Sequence, residues 1–127
     1  MFGKKVNKID TRIDTLVSPD TVIKGDVAFT GGLRIDGSVK GNVQEQEGSQ
    51  GTIIVGESGR IEGTVTATKI VLIGSVTGPV FAKEFIELQT KARITGDLHY
   101  KSLEMHMGAV IDGKLVHTEN NEPDMSI

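Results

Sequence analysis

Three histidines, His99, His106 and His117, are the side chains of this 127-residue chain that could bind a metal ion or act as a general base. The alternation of apolar and polar residues turns His99 and His106 outward, beside inward Leu98 and Met105 on neighbouring coils of chain, and places His117 in the C-terminal tail. Neither of the first two is tied by spacing to a carboxylate, so both are expected to be ordinary surface residues. Ser38, Ser49, Ser58, Ser75 and Ser102 fall in turns or outward positions with no accompanying base, which argues against a nucleophile. The glycines include no Gly-Lys-Ser/Thr phosphate loop. Calcium-binding nonapeptides would need an Asp in each turn, and an ice-binding face would need a longer row than Thr64, Thr66 and Thr68. The residues that could do chemistry therefore predict no catalytic, cofactor or metal site, and no enzyme.

The elements that would have to position such residues are far more legible. Ile/Val-x-Gly-x-Val/Leu occurs six times: at Ile23–Val27, Val39–Val43, Ile61–Val65, Val76–Val80, Ile94–Leu98 and Ile111–Leu115. The steps between glycines are 16, 22, 15, 18 and 17 residues, the mark of a stacked repeat. Period-two alternation makes each copy a strand, with the side-chain-free glycine at a tight corner. A second apolar pair precedes most copies: Leu33/Ile35, Ile53/Val55, Ile70/Leu72, Ile86/Leu88 and Leu103/Met105. From each pair to the next motif is 4, 6, 4, 6 or 6 residues, always even, so the inward register survives every change of length.

The fold class this predicts is all-β: a single-stranded parallel β-helix of triangular cross-section with about six rungs of three short strands. At ~4.8 Å per rung the rod would stand about 25–30 Å tall. Its interior is expected to be almost entirely Ile, Val and Leu. The longest step contains Gln44–Gly51, a polar stretch expected to leave one corner as a surface loop.

Composition sets further bounds. The chain has no Cys, which excludes disulfides and thiolate zinc sites and fits a reducing cytoplasm. No apolar run reaches the ~18–20 residues that span a bilayer, and no signal peptide is expected. A net charge of −3 with alternating signs, and only one Tyr and four Phe, argues against nucleic acid. The expected organisation is a flexible membrane-targeting tail over 1–20, a β-helix over 21–116 and a disordered acidic tail over 117–127. Met1, Phe2, Lys4 and Lys5 combine apolar side chains with lysines that suit an anionic lipid surface. Val6, Ile9, Ile13 and Leu16 follow at helical spacing, as a lid on the first rung or a turn lying on the membrane.

The repeat resembles the bactofilin family over residues 21–116. The resemblance is sharpest in Gly32–Val43 and Gly56–Val65, and extends to Gly96-Asp97-Leu98 followed by Leu103, to Gly108-Ala109-Val110 and to the Met-Phe-Gly-Lys-Lys start. It implies a right-handed β-helix that polymerises end to end, without nucleotide or other cofactor, on the cytoplasmic face of the bacterial inner membrane. The partners it implies are the chain itself, the membrane surface and cell-wall hydrolases or synthases. Filaments of that family join head to head and tail to tail. Its last turn often carries an aromatic, where this chain has aliphatic Ile111 and Leu115.

A non-enzymatic cytoskeletal scaffold is thus the expected function, its polymer contacts drawn from the end rungs: Ile23, Val27 and Phe29 at one end, and Leu103, Met105, Ile111 and Leu115 at the other. The rival is a trimeric acyltransferase of the hexapeptide-repeat kind, also a triangular β-helix. It would require a stricter six-residue period and a catalytic His on the extruded loop, and this chain has neither.

Overall fold

The computed structural model describes residues 12–119. The first rung comprises β1 (Thr15–Val17), β2 (Val22–Lys24) and β3 (Val27–Phe29), and the second β4 (Gly32–Ile35), β5 (Ser38–Lys40) and β6 (Val43–Glu45). The third holds β7 (Thr52–Val55), β8 (Arg60–Glu62) and the start of β9 (Val65–Leu72). The second half of β9 opens the fourth rung, which continues through β10 (Ser75–Thr77) into β11 (Val80–Leu88). The end of β11 opens the fifth, with β12 (Arg93–Thr95) and β13 (Leu98–Tyr100). The sixth is β14 (Ser102–Met105), β15 (Val110–Asp112) and β16 (Leu115–His117). Every pairing between rungs is parallel, giving a β-solenoid of about six turns with three faces. β9 and β11 run through one corner and fuse two faces into a ten-stranded sheet, while the third face is a separate six-stranded sheet.

The register follows the apolar pairs. Leu33, Ile53, Ile70, Ile86 and Leu103 stack in one column, and Ile35, Val55, Leu72, Leu88 and Met105 in the next. Ile23, Val39, Ile61, Val76, Ile94 and Ile111 form a third, and Val27, Val43, Val65, Val80, Leu98 and Leu115 a fourth. Burying like on like lets similar shapes pack from rung to rung and provides most of the driving force. The even gaps are resolved at one corner. The gaps of four are closed by two-residue turns, Asp36-Gly37 or Ile73-Gly74, and the gaps of six by four-residue turns with Gly59 N to Gly56 O at 2.8 Å and Ala92 N to Gln89 O at 2.9 Å. The long turns of rungs three and five flank the short one of rung four, and Lys91 reaches across to Glu57 at 2.7 Å.

The motif glycines stack directly. A Cβ on Gly41, Gly63, Gly78, Gly96 or Gly113 would overlap the carbonyl of the glycine one rung earlier, and Gly63 has φ 155. Beside this ladder, Asp26 Oδ1 accepts from Asn42 N, Asn42 Oδ1 from Thr64 N and Asp97 Oδ1 from Lys114 N, each at 2.9 Å. The run skips Thr64, whose neighbour in the next rung is Pro79, a residue with no N–H to accept from.

The structure departs from the sequence reading at both boundaries and in the loop. β1 pairs Thr15–Val17 with Leu33–Ile35, so the solenoid begins inside the segment assigned to the 1–20 tail, and Leu16 lies in a strand rather than on a helix. At the other end His117 closes β16 against Tyr100, and Thr118 N donates to Tyr100 O at 2.6 Å. Gln44 and Glu45 belong to β6, so the loop starts only at Gln46.

Gly63→Val tests the glycine ladder, because the carbonyl it would strike belongs to backbone and cannot swing away. The expected loss is about 1–3 kcal/mol in denaturant titration; a variant as stable as the parent contradicts the ladder.

Candidate functional site

The two ends of the solenoid are where backbone pairing stops. Among the described residues, β1, β2 and β3 pair only toward the second rung, and β14, β15 and β16 only toward the fifth. Each end therefore presents unpaired N–H and C=O groups. The ends differ in how far their inward side chains are covered. In the first rung Val17 and Phe29 are each 6% exposed, while Ile23 and Val27 are half-buried. In the sixth, Met105 is 44% and Leu115 50% exposed, with Leu103 and Ile111 half-buried beside them. All four of the residues expected at that end thus lie together in the more open rung. Phe29 is instead packed over Gly51, where an added Cβ would meet its ring at 2.7 Å. Met107 and Val110 add to the apolar exposure of the last rung, and Ile13, Leu16 and Val22 to that of the first. Met1, Phe2, Lys4 and Lys5 lie outside the described residues.

One inward column breaks the aliphatic rule. It runs from Phe29 and Glu45 through Ala67 and Ala82 to Tyr100 and His117. Glu45 is only 1% exposed, a carboxylate turned into the solenoid at the corner where the 46–51 loop returns. Gly51 N donates to its Oε1 at 2.8 Å, Thr68 N at 2.7 Å and Thr68 Oγ1 at 2.9 Å, and Lys83 Nζ meets Oε2 at 2.7 Å. Burial alone would raise its pKa. The Lys83 ion pair and the donors from Gly51 and Thr68 outweigh that and hold it below the usual carboxylate value. The group fastens the loop to rungs three and four. A polar-looking sequence hid it, although Glu45 stands two residues after inward Val43 and the parity alone points it inside.

The histidines also differ from expectation. His99 and His106 are on different faces of the solenoid. His99 stacks on Phe81, ring centroids 4.4 Å apart, and its buried Nδ1 has no hydrogen-bond partner among the described residues. His106 Nε2 lies 3.0 Å from Glu87 Oε2 and 3.2 Å from Glu104 Oε2, so it is tied to two carboxylates where none was expected. His117 tilts against Tyr100 at 5.3 Å and contacts Lys101 O. The described residues bring no serine, histidine and carboxylate together as a nucleophile with its base.

A parallel solenoid with polar flanks and two bare ends is the framework of a structural module. The family model for bactofilins, described as polymer-forming cytoskeletal, matches residues 15–116. The chain belongs to the bactofilin family. It is 28% identical over 102 residues to bactofilin BacO of Myxococcus xanthus, covering 80% of this chain and 78% of BacO. It is also 28% identical to BacP of the same organism, but spans only 41% of that protein. Among solved structures, it resembles the bactofilin of Thermus thermophilus in double helical filaments, with TM-score 0.70, 34% identity, and coverage of 82% of this chain and 99% of that one. The bactofilin BacA structure from solid-state NMR gives TM-score 0.71 and 35% identity, covering 82% of this chain and 95% of that one.

The depressed pKa of Glu45 sets a pH dependence of stability. A carboxyl whose folded pKa lies below its unfolded value contributes fully above that unfolded value, about 4.3, and loses the contribution as pH falls through the folded one. Glu45→Gln is expected to lose about 1–3 kcal/mol at pH 7 and to flatten the decline of stability below about pH 4. Denaturant titrations of both proteins from pH 3 to 7 check this; parallel curves with equal acid slopes contradict it.

Proposed function

We propose that this chain is a non-enzymatic cytoskeletal scaffold whose copies join end to end into filaments on the cytoplasmic face of the bacterial inner membrane. One observation carries the assembly step: the last rung leaves Met105 and Leu115 half-exposed above an unpaired strand edge. A second copy seated there pairs the edge and covers the apolar side chains, so both penalties fall together. The family's polymer-forming description and the filaments of the Thermus relative support this reading. No nucleotide enters, because the contact is stacking of apolar side chains and strand edges, which needs no hydrolysis to form.

Membrane attachment falls to Met1, Phe2, Lys4 and Lys5. Burying Phe2 in the headgroup boundary contributes ~1.5–3 kcal/mol, and each lysine near anionic lipid about 1 kcal/mol. A single copy binds weakly, but a filament presents many copies and multiplies that affinity. The outward faces remain free to hold proteins of cell shape and cell-wall synthesis or hydrolysis along the membrane.

Leu115→Arg places a charge in the contact and is expected to convert filaments into dimers or short oligomers by electron microscopy and analytical ultracentrifugation. Long filaments from this variant sink the end-contact assignment. Phe2→Ala combined with Lys4→Glu and Lys5→Glu is expected to abolish co-sedimentation with anionic vesicles while assembly persists. Unchanged pelleting with those vesicles removes the anchor.

A further inference from the structure

We propose that Glu87, Glu104 and His106 form a binding site for one divalent transition-metal ion of the zinc class on the flank of the last two rungs. Glu87 and Glu104 are outward neighbours in register on β11 and β14. His106 follows directly after β14, and its backbone N donates to Leu88 O at 2.9 Å, which holds it beside the fifth rung. One ligand atom from each of the three residues falls within 4.8 Å of the other two.

Three observations favour a metal over a plain surface contact. First, two carboxylates in direct register repel each other. Among the described residues, no Lys or Arg forms an ion pair with either, so the imidazole is their sole counter-group. Second, His106 Nε2 stands 3.0 and 3.2 Å from the two carboxylate oxygens. Ligands at ~2.0–2.2 Å from a tetrahedral ion stand about 3.3 Å apart, so these two of the three edges are already near the length such an ion requires, and the third lies within 4.8 Å. Third, Gln89 Nε2 donates at 3.4 Å to Glu87 Oε2, the same oxygen that faces His106, and so helps to hold it toward the imidazole.

The ion would be held by His106 Nε2, one oxygen from each of the two carboxylates and a water. One imidazole with two carboxylates selects zinc, cobalt or nickel over magnesium or calcium, which prefer all-oxygen shells. The ion would clamp the fifth rung to the sixth, the rung that carries the exposed Met105 and Leu115. This inference does not depend on the assembly reading, since it concerns the flank of a single chain.

The test is calorimetric titration of the full, untagged chain with zinc chloride in excess magnesium, alongside thermal melts, for the parent, His106→Ala and Glu104→Gln. Circular dichroism confirms that the variants keep their strands. The expected result is one zinc per chain, a raised melting temperature with zinc, and at least tenfold weaker binding in each variant. Two results overturn the site: no zinc binding by the parent in excess magnesium, or binding that both variants keep within twofold. Binding lost instead in His99→Ala or His117→Ala would move the ion elsewhere and equally refute it.

Discussion

In-register parallel stacking is the constraint on which the rest of this structure depends. A strand alternates its side chains with a period of two, so one residue of slippage would exchange the interior for the exterior along a whole face. Every inward column here respects that parity from rung to rung, through corner turns of different length. The glycine corner enforces it from outside. Where the carbonyl of one rung sits against the α-carbon of the next, no side chain fits, and the rungs seat at one height.

The same constraint explains which features were legible in the amino-acid pattern. Paired Leu, Ile and Val before each glycine motif, at even separations, specify columns without any knowledge of handedness. The first strand of the first rung escaped because Thr15 stands where later rungs carry Leu or Ile, while outward Leu16 and Ile13 fitted a helical spacing. Glu45 escaped because polar composition around it signalled a loop. What makes its burial tolerable is a lysine 38 positions later and a threonine 23 positions later, converging only after rungs three and four have stacked. His106 is similar: Glu87 lies 19 residues away, and only the register of β11 on β14 brings the two together. Local pattern reveals the repeat; contacts between rungs reveal the polar sites.

Stacking satisfies every rung except the outermost. The two ends respond differently, and the contrast is informative: Val17 and Phe29 at the first rung are largely covered, while Met105 and Leu115 at the last are half open. The seven residues expected to join copies are therefore not equivalent. Phe29 works mainly within its own chain, holding down the loop at Gly51, and the sixth rung offers the more open apolar surface. The proposed polymer follows from repeating outside the chain the operation that builds it inside.

The most direct measurement is high-resolution electron cryomicroscopy of the untagged protein assembled without nucleotide. Filaments are expected in which the solenoid axis lies along the filament and the rung spacing of about 4.8 Å continues across each junction, with Leu115 and Met105 enclosed there. Discrete particles, or filaments whose subunits meet flank to flank with the sixth rung open to water, would contradict that arrangement.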